Sequence, residues 1–68
     1  MKYVVVIEKS DKNYGAYVPD LPGCVAVGET REEVLRLIHE AIELHLQSMR
    51  ESGELVPPPA TTAESVEF

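Results

Sequence analysis

One cysteine, two histidines and twelve acidic residues are the side chains in this 68-residue chain with types suited to bond-making chemistry. Cys24 would act as a nucleophile only as a thiolate, which needs an adjacent base, a cation or a helix N-terminus. It follows Pro22-Gly23 at the start of an expected strand, with neither histidine near in sequence, and reads as a buried or half-buried structural cysteine. His45 falls on the apolar stripe of an expected helix, where a packing role needs only one hydrogen-bond partner for a ring nitrogen. His39 sits at the boundary of that stripe, solvated or part of a subunit contact. Six positions separate the two, about 120° on a helical wheel, which is a poor arrangement for a shared metal. No metal or cofactor site is expected.

The carboxylates give the same answer. Asp11 and Asp20 lie in turns, where Asp is favoured for local backbone hydrogen bonds. Glu32, Glu40 and Glu43 line a polar helix face. Acid–base catalysis needs two carboxylates facing each other in different environments, and this pattern builds no such pair. Gly28 precedes a helix N-terminus, an anion-friendly place, but Glu29, Glu32 and Glu33 would repel a phosphate there. Tyr3, Tyr14 and Tyr17 could stack on bases, yet no basic groove accompanies them, and core or subunit packing accounts for them. The chain is therefore not expected to be an enzyme.

A net charge of −6, with six basic residues scattered among twelve acidic ones, opposes general nucleic-acid binding and suits a basic protein partner. The apolar run Tyr3 to Ile7 is too short to span a bilayer, and no signal-like leader precedes it, so no membrane contact and a cytoplasmic location are expected. A core of this size supplies only about 3–5 kcal/mol. A single cysteine rules out an internal disulfide, which leaves self-association, as a dimer or tetramer through β edges or a sheet face, as the expected staple.

The elements that would place these residues form an α+β pattern over 1–68: three antiparallel strands, one long helix and a short final strand. Residues 2–9 are nearly all β-branched or aromatic and read as a strand buried on both faces. Ser10-Asp11-Lys12-Asn13 is a turn cluster, returning the chain as a strand over 14–18. Pro19 and Pro22 then fix two backbone angles, and Pro22-Gly23 supplies the central pair of a type II turn. A strand over 24–27 follows, with Val25 and Val27 on one face, and Gly28 allows a sharp bend. Thr30 caps the helix, with Glu33 reaching back to the cap amide.

The helix spans 31–52. Val34, Leu35, Ile38, Ala41, Ile42, His45, Leu46 and Met49 share one face, while Glu32, Arg36, Glu40, Glu43, Gln47 and Arg50 lie opposite. Leu37 and Leu44 widen the stripe beyond what one sheet needs. Gly53 stops the helix, residues 55–62 form a proline-rich spacer, and alternation over 64–68, with Val66 and Phe68 on one face, reads as the last strand.

Taken in order, these segments resemble the HicB antitoxin family. The resemblance rests on Tyr3-Val4-Val5-Val6-Ile7-Glu8, Tyr14-Gly15-Ala16-Tyr17-Val18-Pro19-Asp20-Leu21-Pro22-Gly23-Cys24, Gly28-Glu29-Thr30-Arg31-Glu32-Glu33 and Glu40-Ala41-Ile42-Glu43-Leu44-His45-Leu46, with Val56-Pro57-Pro58-Pro59 as a fitting exit. It implies a partly degraded RNase H-like fold whose fourth strand lies beside and parallel to the first. The RNase H catalytic carboxylates are not recognisable. It also implies a HicA-like partner, a small basic mRNA-cleaving toxin. The C-terminal DNA-binding domain that many members carry does not follow Phe68, so direct DNA binding by this chain alone is not expected. Asp20, Leu21, Pro22 and Gly23 in the turn, and Glu32, Arg36, Glu40 and Glu43 on the helix, are the expected protein-contact residues. Pro19, Gly28, Thr30 and Glu33 are expected to be structural. An orphan oligomerising scaffold of the same fold, with no toxin, is the alternative.

Overall fold

The computed structural model describes residues 1–68. Strands β1 (Val6–Lys9), β2 (Tyr14–Tyr17) and β3 (Val25–Gly28) precede helix α1 (Arg31–Glu51). The strands form an antiparallel sheet in the order β1-β2-β3. Val6 stands opposite Tyr17 and Tyr17 opposite Val25, while Ile7, Ala16 and Ala26 form the neighbouring row. Side chains alternate across a strand, so the second row faces α1 and the first faces away.

The hairpin between β1 and β2 closes where the Ser10 hydroxyl donates to Asn13 Oδ1 at 2.7 Å and the Ser10 amide donates to the Asn13 carbonyl at 2.9 Å. Two β-turns in series join β2 to β3. The Leu21 amide donates to Val18 O at 3.1 Å, the Cys24 amide to Leu21 O at 3.0 Å, and the Val18 amide to Cys24 O at 3.2 Å. Gly23 has φ +84°, as the second central residue of a type II turn requires. The junction residue Leu21 is swung inward and has no exposed surface.

Leu21 joins Ala16, Val18, Cys24, Val34 and Ile38 in the buried cluster, with Tyr3, Val5, Ile7, Tyr14, Ala26, Ala41, Ile42 and Leu46 packed around it. Burial also pushes the Cys24 thiol above its ordinary pKa, so it stays protonated and unreactive at neutral pH.

Thr30 caps α1 as expected, accepting from the Glu33 amide at 3.0 Å. The return half of the box differs from expectation. The Glu33 carboxylate accepts from the Glu29 amide at 2.8 Å, one residue before the cap. The tight bend at Gly28 brings that earlier amide within reach. A Cβ at Gly28 would lie 2.9 Å from the Val34 backbone nitrogen and 3.1 Å from its Cα. Those atoms belong to the first turn of α1 and cannot rotate away, so Gly28→Ala must push the helix off β3. Thermal unfolding should show a loss of about 1–3 kcal/mol, the usual range for overpacking a fitted contact. An unchanged midpoint would contradict this close approach.

At its other end α1 finishes in a Schellman motif, with Gly53 N–H on Arg50 O at 3.2 Å and Glu54 N–H on Met49 O at 2.9 Å. The 21-residue helix is about 31 Å long, against roughly 13 Å for a four-residue strand.

Two sequence expectations are corrected. The first strand starts at Val6 rather than Lys2, and it is not buried on both faces: Val6 and Ile7 are half-buried and Glu8 and Lys9 exposed, because α1 covers only one face of the sheet. No strand forms over 64–68; residues 62–68 are exposed and make no backbone hydrogen bond. The chain is instead tied down earlier. The Tyr3 hydroxyl donates to the Pro57 carbonyl, and Asp20 accepts from the Ala60 and Thr61 amides, both at 3.0 Å, and from the Thr61 hydroxyl at 2.8 Å. Pro57, Pro58 and Pro59 have no N–H to offer a ladder. The path thus runs from the β1 side of the sheet toward the β2–β3 turn, away from the free edge of β1.

Candidate protein-binding surface

Among the His, Cys, Asp and Glu side chains, no three come close enough to hold a metal ion. No helix is long and apolar enough to cross a membrane. The surface, by contrast, offers two areas with definite recognition chemistry.

The first is the outward face of α1. Glu32, Arg36, Glu40 and Glu43 all point to solvent, and their spacing spreads them over about 17 Å along the axis. Arg36 Nη1 meets Glu40 Oε2 at 3.4 Å and His39 Nδ1 meets Glu43 Oε1 at 3.0 Å, each pair one turn apart. Exposed pairs of this kind contribute at most about 1 kcal/mol, so these carboxylates exchange partners at little cost. Leu44 is 67 % exposed and lies among Glu40, Glu43 and Gln47. An apolar residue ringed by carboxylates and an amide suits a basic protein surface better than a small anion.

The second is the outer sheet face. Val6, Tyr17 and Val25 form one row and Val27 extends it past Gly15, with Val25 and Val27 each 63 % exposed. Glu8, opposite Gly15, is the charged side chain on that face and bounds the row on the β1 side. Residue alternation and the surplus of strand valines make this face legible in the sequence.

The expected turn contacts separate in the structure. Pro22 and Gly23 are exposed at the tip, with Pro19 exposed at the start, whereas Leu21 is fully buried beneath them. Asp20 lies between, its carboxylate occupied by Ala60 and Thr61. The Asp20–Thr61 clamp joins residues 41 apart, and nothing in a single sequence signals it.

The Thr61 amide first, then the Ala60 amide and the Thr61 hydroxyl, hold the Asp20 carboxyl below its ordinary value of 3.8, while slight desolvation acts the other way. A depressed folded-state pKa stabilises the clamp above the unfolded value, and that stabilisation is lost as pH falls through the folded value. The Ala60 and Thr61 amide resonances should therefore hold steady from neutral pH to about pH 4 and move together below it. In Asp20→Asn that inflection should vanish and both amides should exchange faster at neutral pH. Protection equal to wild type in the variant would contradict the clamp.

Comparison with known proteins gives a consistent picture. Residues 3–67 match the family described as the HicB_like antitoxin of bacterial toxin-antitoxin systems. A UPF0150 protein of Helicobacter pylori (strain J99) is 54 % identical over 50 residues, covering 74 % of this chain and 68 % of that one. Antitoxin HicB 2 of Photorhabdus laumondii subsp. laumondii is 29 % identical over 65 residues, covering 96 % of this chain and 47 % of that one. Among solved structures, a chain of the HicA3 and HicB3 toxin-antitoxin complex superposes with a TM-score of 0.73 at 28 % identity, covering 87 % of this chain and 70 % of that one. The chain spans less than half the length of some curated relatives, 43 % and 47 %, and 84 % and 86 % of others.

Proposed function

This chain belongs to the family of HicB-like antitoxins of bacterial toxin-antitoxin systems, and we propose that it binds and neutralises a small basic HicA-type mRNA interferase without catalysis of its own. The observation that carries this reading is the similarity to a chain solved in a HicA–HicB complex, on a molecule whose exposed helix face is acidic. A toxin that cleaves RNA must present cations to phosphates, and those same cations are what a carboxylate-lined helix attracts.

Neutralisation on this reading is occlusion. Glu32, Glu40 and Glu43 meet the toxin's Lys and Arg side chains, Leu44 supplies an apolar anchor between them, and Pro22 and Gly23 add a rigid turn at the far end of the sheet. Arg36 releases Glu40 to the partner and keeps the face from being uniformly acidic. Asp20 and Leu21 hold the turn in place from beneath. The site of action is the cytoplasm, where mRNA is cleaved.

Co-expression tests the reading. A small basic protein encoded beside this gene should arrest growth when induced alone, and induction of this chain should restore growth. Growth arrest that persists with this chain abundantly expressed would defeat the proposal. A second reading, an oligomerising scaffold with no toxin, is favoured by one observation, the uncovered apolar row Val6-Tyr17-Val25 with Val27. It predicts self-association and no effect on any neighbouring gene product.

A further inference from the structure

Between the N-terminal segment and α1 the fold leaves a groove of about 310 Å³. Met1, Tyr3 and Val5, which precede β1, form one wall, and Leu35, His39 and Ile42 of α1 stand on the other. It exists because α1 packs chiefly on β3 and β2, so the helix flank toward residues 1–5 is only partly covered. The lining is apolar except for His39. Tyr3 offers its ring alone, since its hydroxyl is spent on the Pro57 carbonyl. Leu35 is half-buried yet stands outside the shell packed on the core, so its contacts belong to the groove wall.

This groove opens onto the acidic face of α1. His39 lies about 40° round the helix from Leu35, and Glu43 about 40° beyond His39. His39 Nδ1 meets Glu43 Oε1 at 3.0 Å, and Glu43 with Glu40 and Gln47 surrounds Leu44. An apolar recess and a row of carboxylates therefore share one rim. Exposed charges attract a basic protein but are screened beyond about 8 Å at physiological salt, and each pair adds little. Lasting complexes draw most of their affinity from a few side chains buried in apolar pockets. Leu44, 67 % exposed, is a knob on this face; the groove is its apolar recess.

We infer that the basic toxin proposed for this chain seats an aromatic or long aliphatic side chain in the groove, against Leu35, Ile42 and the Tyr3 ring, while a neighbouring Lys or Arg of the toxin reaches Glu43 across His39. The inference rests on toxin binding and adds to it the class of side chain that anchors the complex. The volume is at the lower end of ligand pockets, about 300–1,000 Å³, and takes one or two such side chains rather than a whole helix. Charge selects the occupant. Glu32 and Glu43 flank the helix wall and Arg36 is drawn off toward Glu40 at 3.4 Å, so an apolar side chain beside a cation is favoured over a fatty acid or other apolar anion.

Titration calorimetry of this chain against the purified small basic protein encoded beside the gene, at about 0.1 M and about 1 M salt, tests it. Wild type should weaken with salt yet still bind at the higher value, because the groove contact is not ionic. Leu35→Asp should lose about 100-fold at low salt and show no binding at high salt, whereas Leu35→Met should stay within about threefold of wild type. Glu40→Lys with Glu43→Lys should approach wild type at high salt, where the groove contact is what remains. Should Leu35→Asp fail to fold, isotope-filtered NOE spectra of the wild-type complex replace that arm, with Leu35 and Ile42 methyls expected to contact an aromatic or aliphatic side chain of the partner. Wild type that binds at neither salt overturns the toxin-binding reading and this inference with it. Wild-type binding that vanishes at high salt, that Leu35→Asp leaves unchanged, or in which the groove methyls meet only residues of this chain or of a second copy, overturns the groove inference alone.

Discussion

Leu21→Ala should remove most of the stability of this chain. Leu21 is one of the largest side chains with essentially no exposed surface, and it sits where two β-turns meet above Val34 and Ile38. Truncating a buried leucine costs about 2–5 kcal/mol through lost burial and the cavity left behind. A core this small supplies only about 3–5 kcal/mol. Thermal unfolding at matched concentration should show a midpoint at least ~8–16 °C lower, or no cooperative transition at all. Leu55→Ala, at a position 92 % exposed, is the control and should stay within about 0.5 kcal/mol of wild type. Equal midpoints for the two variants would show that the turn does not anchor the core.

Reversing two charges on α1 should have the largest effect on partner binding. Glu40 and Glu43 side chains are 55 % and 68 % exposed, and their contacts within the chain are the weak pairs with Arg36 and His39. Glu40→Lys with Glu43→Lys therefore leaves the fold nearly untouched, at a cost of about 1 kcal/mol or less. Against a basic toxin the same change turns attraction into repulsion. Affinity should fall roughly 100-fold or more, chiefly through slower association, and should improve as salt is added where wild type weakens. Calorimetry or surface plasmon resonance reads this directly. Equal affinity in variant and wild type would move the contact surface off the helix face.

Much of this fold is legible in the residues because each signal is local. Thr30 and Glu33 mark the helix start, Gly53 its end, and the spacing of Val34, Ile38 and Leu46 its inward face. Pro22-Gly23 announces the turn that Gly23 then adopts. Residues 64–68 are the exception. Their alternation satisfies a strand, but a strand needs a ladder, and a contact 41 residues distant fixes where the chain goes before that ladder can form. The shorter first strand has the same origin, since residues ahead of Val6 have no partner in the ladder. Asp20 illustrates the limit for the site: its type and turn position suit both an exposed contact and an internal clamp, and only the fold separates them. The acidic helix face was readable because amphipathic period and charge coincide on one element.

The central claim is that this chain silences a partner by covering it. Its most direct test is an RNA-cleavage titration with the purified small basic protein encoded beside the gene. Cleavage should fall in proportion to added chain and stop near equimolar amounts, and the Glu40→Lys, Glu43→Lys variant should need a large excess to do the same. Undiminished cleavage in the presence of excess folded wild-type chain would contradict the account.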